Sequence, residues 1–161
     1  DIEVWGRRAE VVWCRPADLT PADYLGAWLS LLALDAGGVA TCGAHLVGLK
    51  KDDRLETPED APGLLRCLVE VFRLGLMRPI HLFPSSSYAF AEKLADGAGM
   101  DEALDEAREK WLPGWNGRGE SDDDSFRLLF AGADPFDKEF TDLSSRVFGP
   151  LLACMTRGRA A

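Results

Sequence analysis

Proline occupies the second place of three tetrads, Thr20-Pro21-Ala22-Asp23, Thr57-Pro58-Glu59-Asp60 and Asp134-Pro135-Phe136-Asp137, and each tetrad sets where a helix can begin. A Thr or Asp side chain accepts from the open amides of a first turn. Proline fits the position whose amide would be unpaired anyway, and an acid in that turn meets the positive end of the helix dipole. After the first tetrad, Leu25, Trp28, Leu29 and Leu32 recur at helical spacing until Gly37-Gly38. After the second, Leu65, Leu68, Phe72 and Leu76 form a core-facing stripe that must stop before Pro79. From the third, Phe136, Phe140, Leu143, Val147 and Leu151 make another stripe, which Pro150 is expected to kink or split. Shorter helices are expected near 86–97, 101–112 and 124–131.

Strand signals sit in the first third. Ile2-Glu3-Val4-Trp5 alternates, Gly6-Arg7-Arg8 interrupts, and Glu10-Val11-Val12-Trp13-Cys14 resumes with β-rich composition, giving a hairpin or two adjacent strands. A third strand is expected over Ala40–Leu49. The order strand, strand, helix, strand and then helices predicts an α/β (α+β) fold: a small sheet packed with helices and a helical carboxy-terminal extension. At 161 residues and 47% hydrophobic, one domain spanning 1–161 is expected, without need of staples. The Gly-rich stretch Pro113–Gly119 reads as a loop.

Charge narrows the partners. Of the net −9, residues 1–55 carry −2 and the remainder −7. Acidic runs at Glu56–Asp60, Asp101–Glu109 and Glu120–Asp124 oppose broad contact with phosphates and read as a solvated face or a protein-facing patch. No apolar run nears the roughly 20 residues a bilayer demands. The start at Asp1 has no leader character, so a soluble cytoplasmic chain, excised from something longer, is expected. Cys14, Cys42, Cys67 and Cys154 are widely spaced and expected to be reduced, mostly buried thiols. A zinc site from Cys42, His45, His81 and a second cysteine lacks paired spacing, and neither metal nor cofactor is expected.

Chemistry-bearing motifs are sparse. The phosphate loop and the G-x-S-x-G elbow are absent, and Ser85-Ser86-Ser87 reads as a helix cap. The strand–strand–helix–strand order resembles the core of PD-(D/E)XK nucleases. Their chemistry requires an acid followed two positions later by Lys, so that carboxylates hold magnesium while Lys supports the attacking water. No Asp or Glu here has Lys two positions after it. Val11-Val12-Trp13-Cys14-Arg15 puts Trp13 where the acid would be and Arg15 where the base would be, so the resemblance implies a degenerate core over 1–80 with a mostly helical extension over 81–161.

The stretch Val69–Glu92 resembles the RecC family: a helix ends in a Gly-Leu turn, and Phe83-Pro84 then leads into Ser, Tyr88 and Ala89-Phe90-Ala91-Glu92. Ala107-Arg108-Glu109-Lys110-Trp111, Gly119-Glu120, Phe126–Phe130, Asp134-Pro135 and Arg146–Leu152 follow in the order of that family's carboxy-terminal region. Leu25–Leu29 and Leu32–Leu34 resemble its helix before the last core strand. The resemblance implies a noncatalytic scaffold domain of the RecBCD helicase–nuclease, exodeoxyribonuclease V, in double-strand break repair and recombination. It implies contact with RecD-like and RecB-like subunits and with DNA through the complex. Chi reading is assigned upstream of this region.

Arg7, Arg8 and Arg15 cluster with Trp5 and Trp13, a pairing suited to single-stranded DNA or to Arg packed over indole edges. Trp5, Trp13 and the loop residue Trp115 are candidate partner-interface anchors, and Tyr88, Phe90 and Trp111 are expected in the core. The alternative is an active metal-dependent nuclease in which Glu3, Glu10 or Asp18 converge without Lys. An AddB-type relative would carry cysteines spaced for an iron–sulfur cluster, which these four do not show.

Overall fold

Glycine and strand register decide how the sheet begins. The computed structural model describes residues 4–5, 8–114, 117–130 and 134–157. The first strand, β1 (Val4–Trp5), turns back antiparallel onto β2 (Arg8–Cys14), as the hairpin reading expects, with Val4 opposite Ala9 and Trp5 opposite Arg8. Helix α1 (Pro21–Ala36) crosses over to β3 (Thr41–Val47), which runs parallel to β2. Two further strands, β4 (Asp52–Leu55) and β5 (Met155–Arg157), add antiparallel, giving a five-stranded sheet in the order β1-β2-β3-β4-β5. Gly43 makes the bulge between β2 and β3 possible: its φ is +124°, and a Cβ there would come within 2.4 Å of the Leu55 carbonyl oxygen.

The fold is mixed α/β, and the chain divides into two compact units, Asp1–Val69 with Ala153–Ala161, and Glu70–Leu152. In the first unit α1 buries Tyr24, Ala27, Trp28, Leu31 and Leu32, while Val11, Ala44, Leu46 and Leu55 are buried in the strands. The expected stripe is therefore rotated. Leu25 is only half-buried and Leu29 is exposed, because Tyr24 turns inward to donate its hydroxyl to Asp53 Oδ2 at 2.6 Å. That carboxylate lies on β4, a strand hidden in the charged run Lys50–Arg54, where Asp53 and Leu55 alternate inward against exposed Asp52 and Arg54. Lys51 Nζ stands 3.4 Å from Asp53, so the buried charge has both an ion-pair partner and a donor.

In the second unit the core is aromatic. Helices α3 (Pro84–Ala95), α4 (Met100–Trp111) and α5 (Asp124–Phe130) enclose Phe83, whose ring lies 4.5 Å from Trp111, 5.2 Å from Phe130 and 6.1 Å from Phe140. Ala103 and Ala107, one helical turn apart, are fully buried in the same cluster and let neighbouring elements approach α4 closely. Tyr88, Phe90 and Trp111 are buried, as expected.

Two of the three tetrads start their helices one turn late. Helix α2 (Ala61–Met77) is capped by Asp60, which accepts the Gly63 amide at 2.9 Å, while the Thr57 hydroxyl lies 2.9 Å from that of Thr41. Helix α6 (Lys138–Ala153) is capped by Asp137, which accepts the Phe140 amide at 3.0 Å; Asp134 instead accepts Phe136 at 3.1 Å in a turn. In both, the last acid of the tetrad outcompetes the first residue, because its carboxylate reaches the third amide of the helix. The helix runs through Pro150 unsplit, its last turn held by buried Leu151 and Leu152. The stripe expected to face the core on α2 does not hold either: Phe72 and Leu76 are 65% and 71% exposed, whereas Val71 is buried.

Candidate functional site

The end of β2 and the first turn of α1 share one carboxylate. Thr20 leads α1 with an extended backbone and Pro21 behind it, so Asp23 folds back to accept the Thr20 amide at 2.8 Å and the Thr20 hydroxyl at 2.6 Å. Arg15 donates to the same oxygen, Oδ2, at 2.7 Å and reaches the Thr20 hydroxyl at 3.3 Å. The Trp13 indole donates to the other oxygen, Oδ1, at 3.2 Å. The ring of Trp13 lies over Gly26, where even a methyl group would come within 2.7 Å. Burial by itself would raise the Asp23 pKa, but the Thr20 hydroxyl and amide, Trp13 and Arg15 together bring it down to about 2.

Trp13 and Arg15 thus converge on Asp23. Four donors occupy its two oxygens. Arg15 keeps 39% of its side chain exposed, so a phosphate meeting it would share the guanidinium with Asp23. Arg8 pairs with Trp5 in the β1–β2 register, and Arg7 and Trp115 lie outside the described residues, as does Glu3.

The remaining carboxylates of the nuclease alternative are not brought together. Asp18 pairs with Lys50 at 2.6 Å. Glu10 lines an open cleft of about 250 Å³ with Cys42, Gly43, Arg54, Glu56 and Thr156. Among the described residues no three His, Cys, Asp or Glu side chains are grouped to hold a metal ion. Cys14 and Cys42 are exposed, contrary to the expectation of mostly buried thiols, because their strand positions are not covered; Cys67 and Cys154 are half-buried.

Sequence reasoning missed two polar centres. Asp53 left no signal, since its run of charges reads as a loop. Glu120 accepts the Ser85 and Ser86 amides at 2.7 Å each and the Ser86 hydroxyl at 2.6 Å, so the start of α3 is capped from 34 residues away. The serine run marks a cap, but the acid that completes it is visible only once the chain is folded.

The family model described as the RecC C-terminal domain matches residues 3–95, from β1 to the end of α3. The chain belongs to the RecC C-terminal domain family. A comparison with curated protein sequences returns no match. Within this RecC C-terminal domain the matched span contains the whole Asp23 centre and the Phe83-Pro84 entry to α3. Membership makes it a domain of a RecBCD-related DNA-repair subunit. No helix among its described residues is long and apolar enough to cross a membrane.

Proposed function

We propose that this domain is a noncatalytic scaffold of a RecBCD-type helicase–nuclease, a cytoplasmic machine of double-strand break repair and homologous recombination. Its strand–strand–helix–strand core is a degenerate PD-(D/E)XK-like fold kept as structure, and its surfaces meet RecD-like and RecB-like subunits and single-stranded DNA. The observation that carries this reading is the Asp23 centre. Trp13 and Arg15, at the positions of the missing acid and base, are both engaged in holding β2 to α1. An indole supplies no oxygen to magnesium, and a guanidinium does not take up a proton near neutral pH. Arg7, Arg8 and Arg15 would supply phosphate contacts, and Trp5, Trp13 and Trp115 partner contacts.

The test is titration of the protein with a fluorescent single-stranded oligonucleotide at low and moderate salt. Magnesium is present throughout, and the oligonucleotide is checked for cleavage. The expected result is an intact oligonucleotide, weak binding that fades with salt, and capture of the protein by a RecD-like subunit. Magnesium-dependent cleavage would overturn the reading.

A further inference from the structure

Helix α2 presents Phe72, Leu76 and Met77 at 65%, 71% and 76% exposure, with Arg73 also exposed among them. Residues 72 and 76 and residues 73 and 77 are i, i+4 neighbours, and 73 and 76 are i, i+3 neighbours, so the four form one contiguous ridge. Charge around the ridge is distinctive. Residues 70–152 hold nine Lys and Arg against sixteen Asp and Glu. Most of those cations are engaged: Arg146 pairs with Glu70, Arg78 with Glu139, Lys93 with Glu102, and Arg108, Lys110 and Arg127 with acids of their own helices. Arg73 has no ion-pair partner among the described residues.

From this we infer that the Phe72–Met77 ridge docks an acidic, amphipathic helical segment of a partner protein. An acidic segment is repelled by most of this unit and finds exposed apolar side chains beside an unpaired guanidinium at Arg73. Phe72 supplies a rigid anchor, while Leu76 and Met77 adapt to the facing helix. A nucleic acid is a poorer match, because a single cation within the ridge displaces few counterions, and Leu76 and Met77 beside Phe72 extend no aromatic platform for successive bases.

The inference rests on the protein-facing reading above and is tested separately from it. The probe is a synthetic amphipathic helix with a Leu face flanked by Glu, compared with its Lys-flanked counterpart by fluorescence anisotropy. The wild-type protein is expected to bind the Glu peptide at least tenfold more tightly than the Lys peptide. Arg73→Glu should reverse that preference, and Phe72→Gln with Leu76→Gln should weaken Glu-peptide binding at least tenfold, with thermal midpoints unchanged because these side chains are exposed. Should the double variant fail to fold, Arg73→Glu decides alone. Equal affinity for the two peptides, or Arg73→Glu without effect, overturns the inference. So does self-association that the double variant abolishes, which would make a second copy the occupant, or oligonucleotide binding lost in Arg73→Glu without peptide binding. Magnesium-dependent cleavage would defeat the scaffold reading and leave the peptide result standing; peptide failure with RecD-like capture intact would defeat this inference alone.

Discussion

The Arg15 guanidinium donates to Asp23 Oδ2 at 2.7 Å, joining the residue that follows β2 to the first turn of α1. The same oxygen caps the helix through Thr20, so the ion pair and the helix start are one structure. Asp23→Ala should therefore cost about 2 to 4 kcal/mol, since it strips the Thr20 amide and Trp13 indole of their acceptor together. Arg15→Ala, at a more exposed site, should cost about 1 kcal/mol. Urea unfolding of the two single variants and the double variant checks this. The double variant is expected to be less destabilised than the sum of the two, and additivity would mean the contacts act independently.

Acid sensitivity follows from the same carboxylate. Its folded pKa is depressed to about 2 from 3.8, so its contribution is complete above about pH 4 and disappears as pH falls through 2. The urea midpoint should drop across that window in the wild-type protein. Asp23→Asn should show a shallower drop, with the difference between the two largest near neutral pH.

Glu120 holds the start of α3 by three hydrogen bonds to Ser85 and Ser86, and the Ser86 side chain is fully buried. Glu120→Ala is expected to destabilise the protein by about 2 to 3 kcal/mol, because three part-buried donors lose the acceptor they share. Glu120→Gln, which keeps one acceptor oxygen, should cost about half as much. Amide exchange at Ser85 and Ser86 gives a local readout, and unchanged protection in Glu120→Ala would contradict the assignment.

Phe83 is the hub of the aromatic cluster and has no solvent exposure. Phe83→Ala should cost about 3 to 5 kcal/mol, the range for a large ring removed from a core that cannot fully collapse. Phe83→Leu should cost less than half of that, and thermal unfolding separates the two.

Gly43 and Gly38 both have positive φ, +124° and +81°, but only Gly43 faces a neighbouring carbonyl. Gly38→Ala, with open space around it, should cost about 1 kcal/mol from backbone strain alone. Gly43→Ala should cost about 3 kcal/mol or more, because β4 would have to shift to clear the new methyl group. Comparable losses at the two sites would show that the close approach of β4 carries no weight.

What the sequence determined is local. Thr20-Pro21 starts α1, Gly37 ends it, the β1–β2 hairpin follows from alternation broken at Gly6, and Pro79 stops α2 beforehand, all set by interactions among neighbours in the chain. The RecC resemblance in Val69–Glu92 was legible for the same reason, as a run of residue types in order. Only the tertiary structure decided which face of each helix is buried and which distant groups meet. Leu29 yields to Tyr24 on α1 because Asp53 waits on a strand masked by charge, and Phe72 and Leu76 point outward although their spacing matches a core stripe. Trp13, Arg15 and Asp23 look like an indole, a cation and an acid at unrelated positions until the turn after β2 brings them to a single carboxylate. Helical periodicity says that an apolar face exists. Which side of the helix is covered depends on the positions of residues tens of places away, and a polar centre built from several elements has no signature until those elements pack.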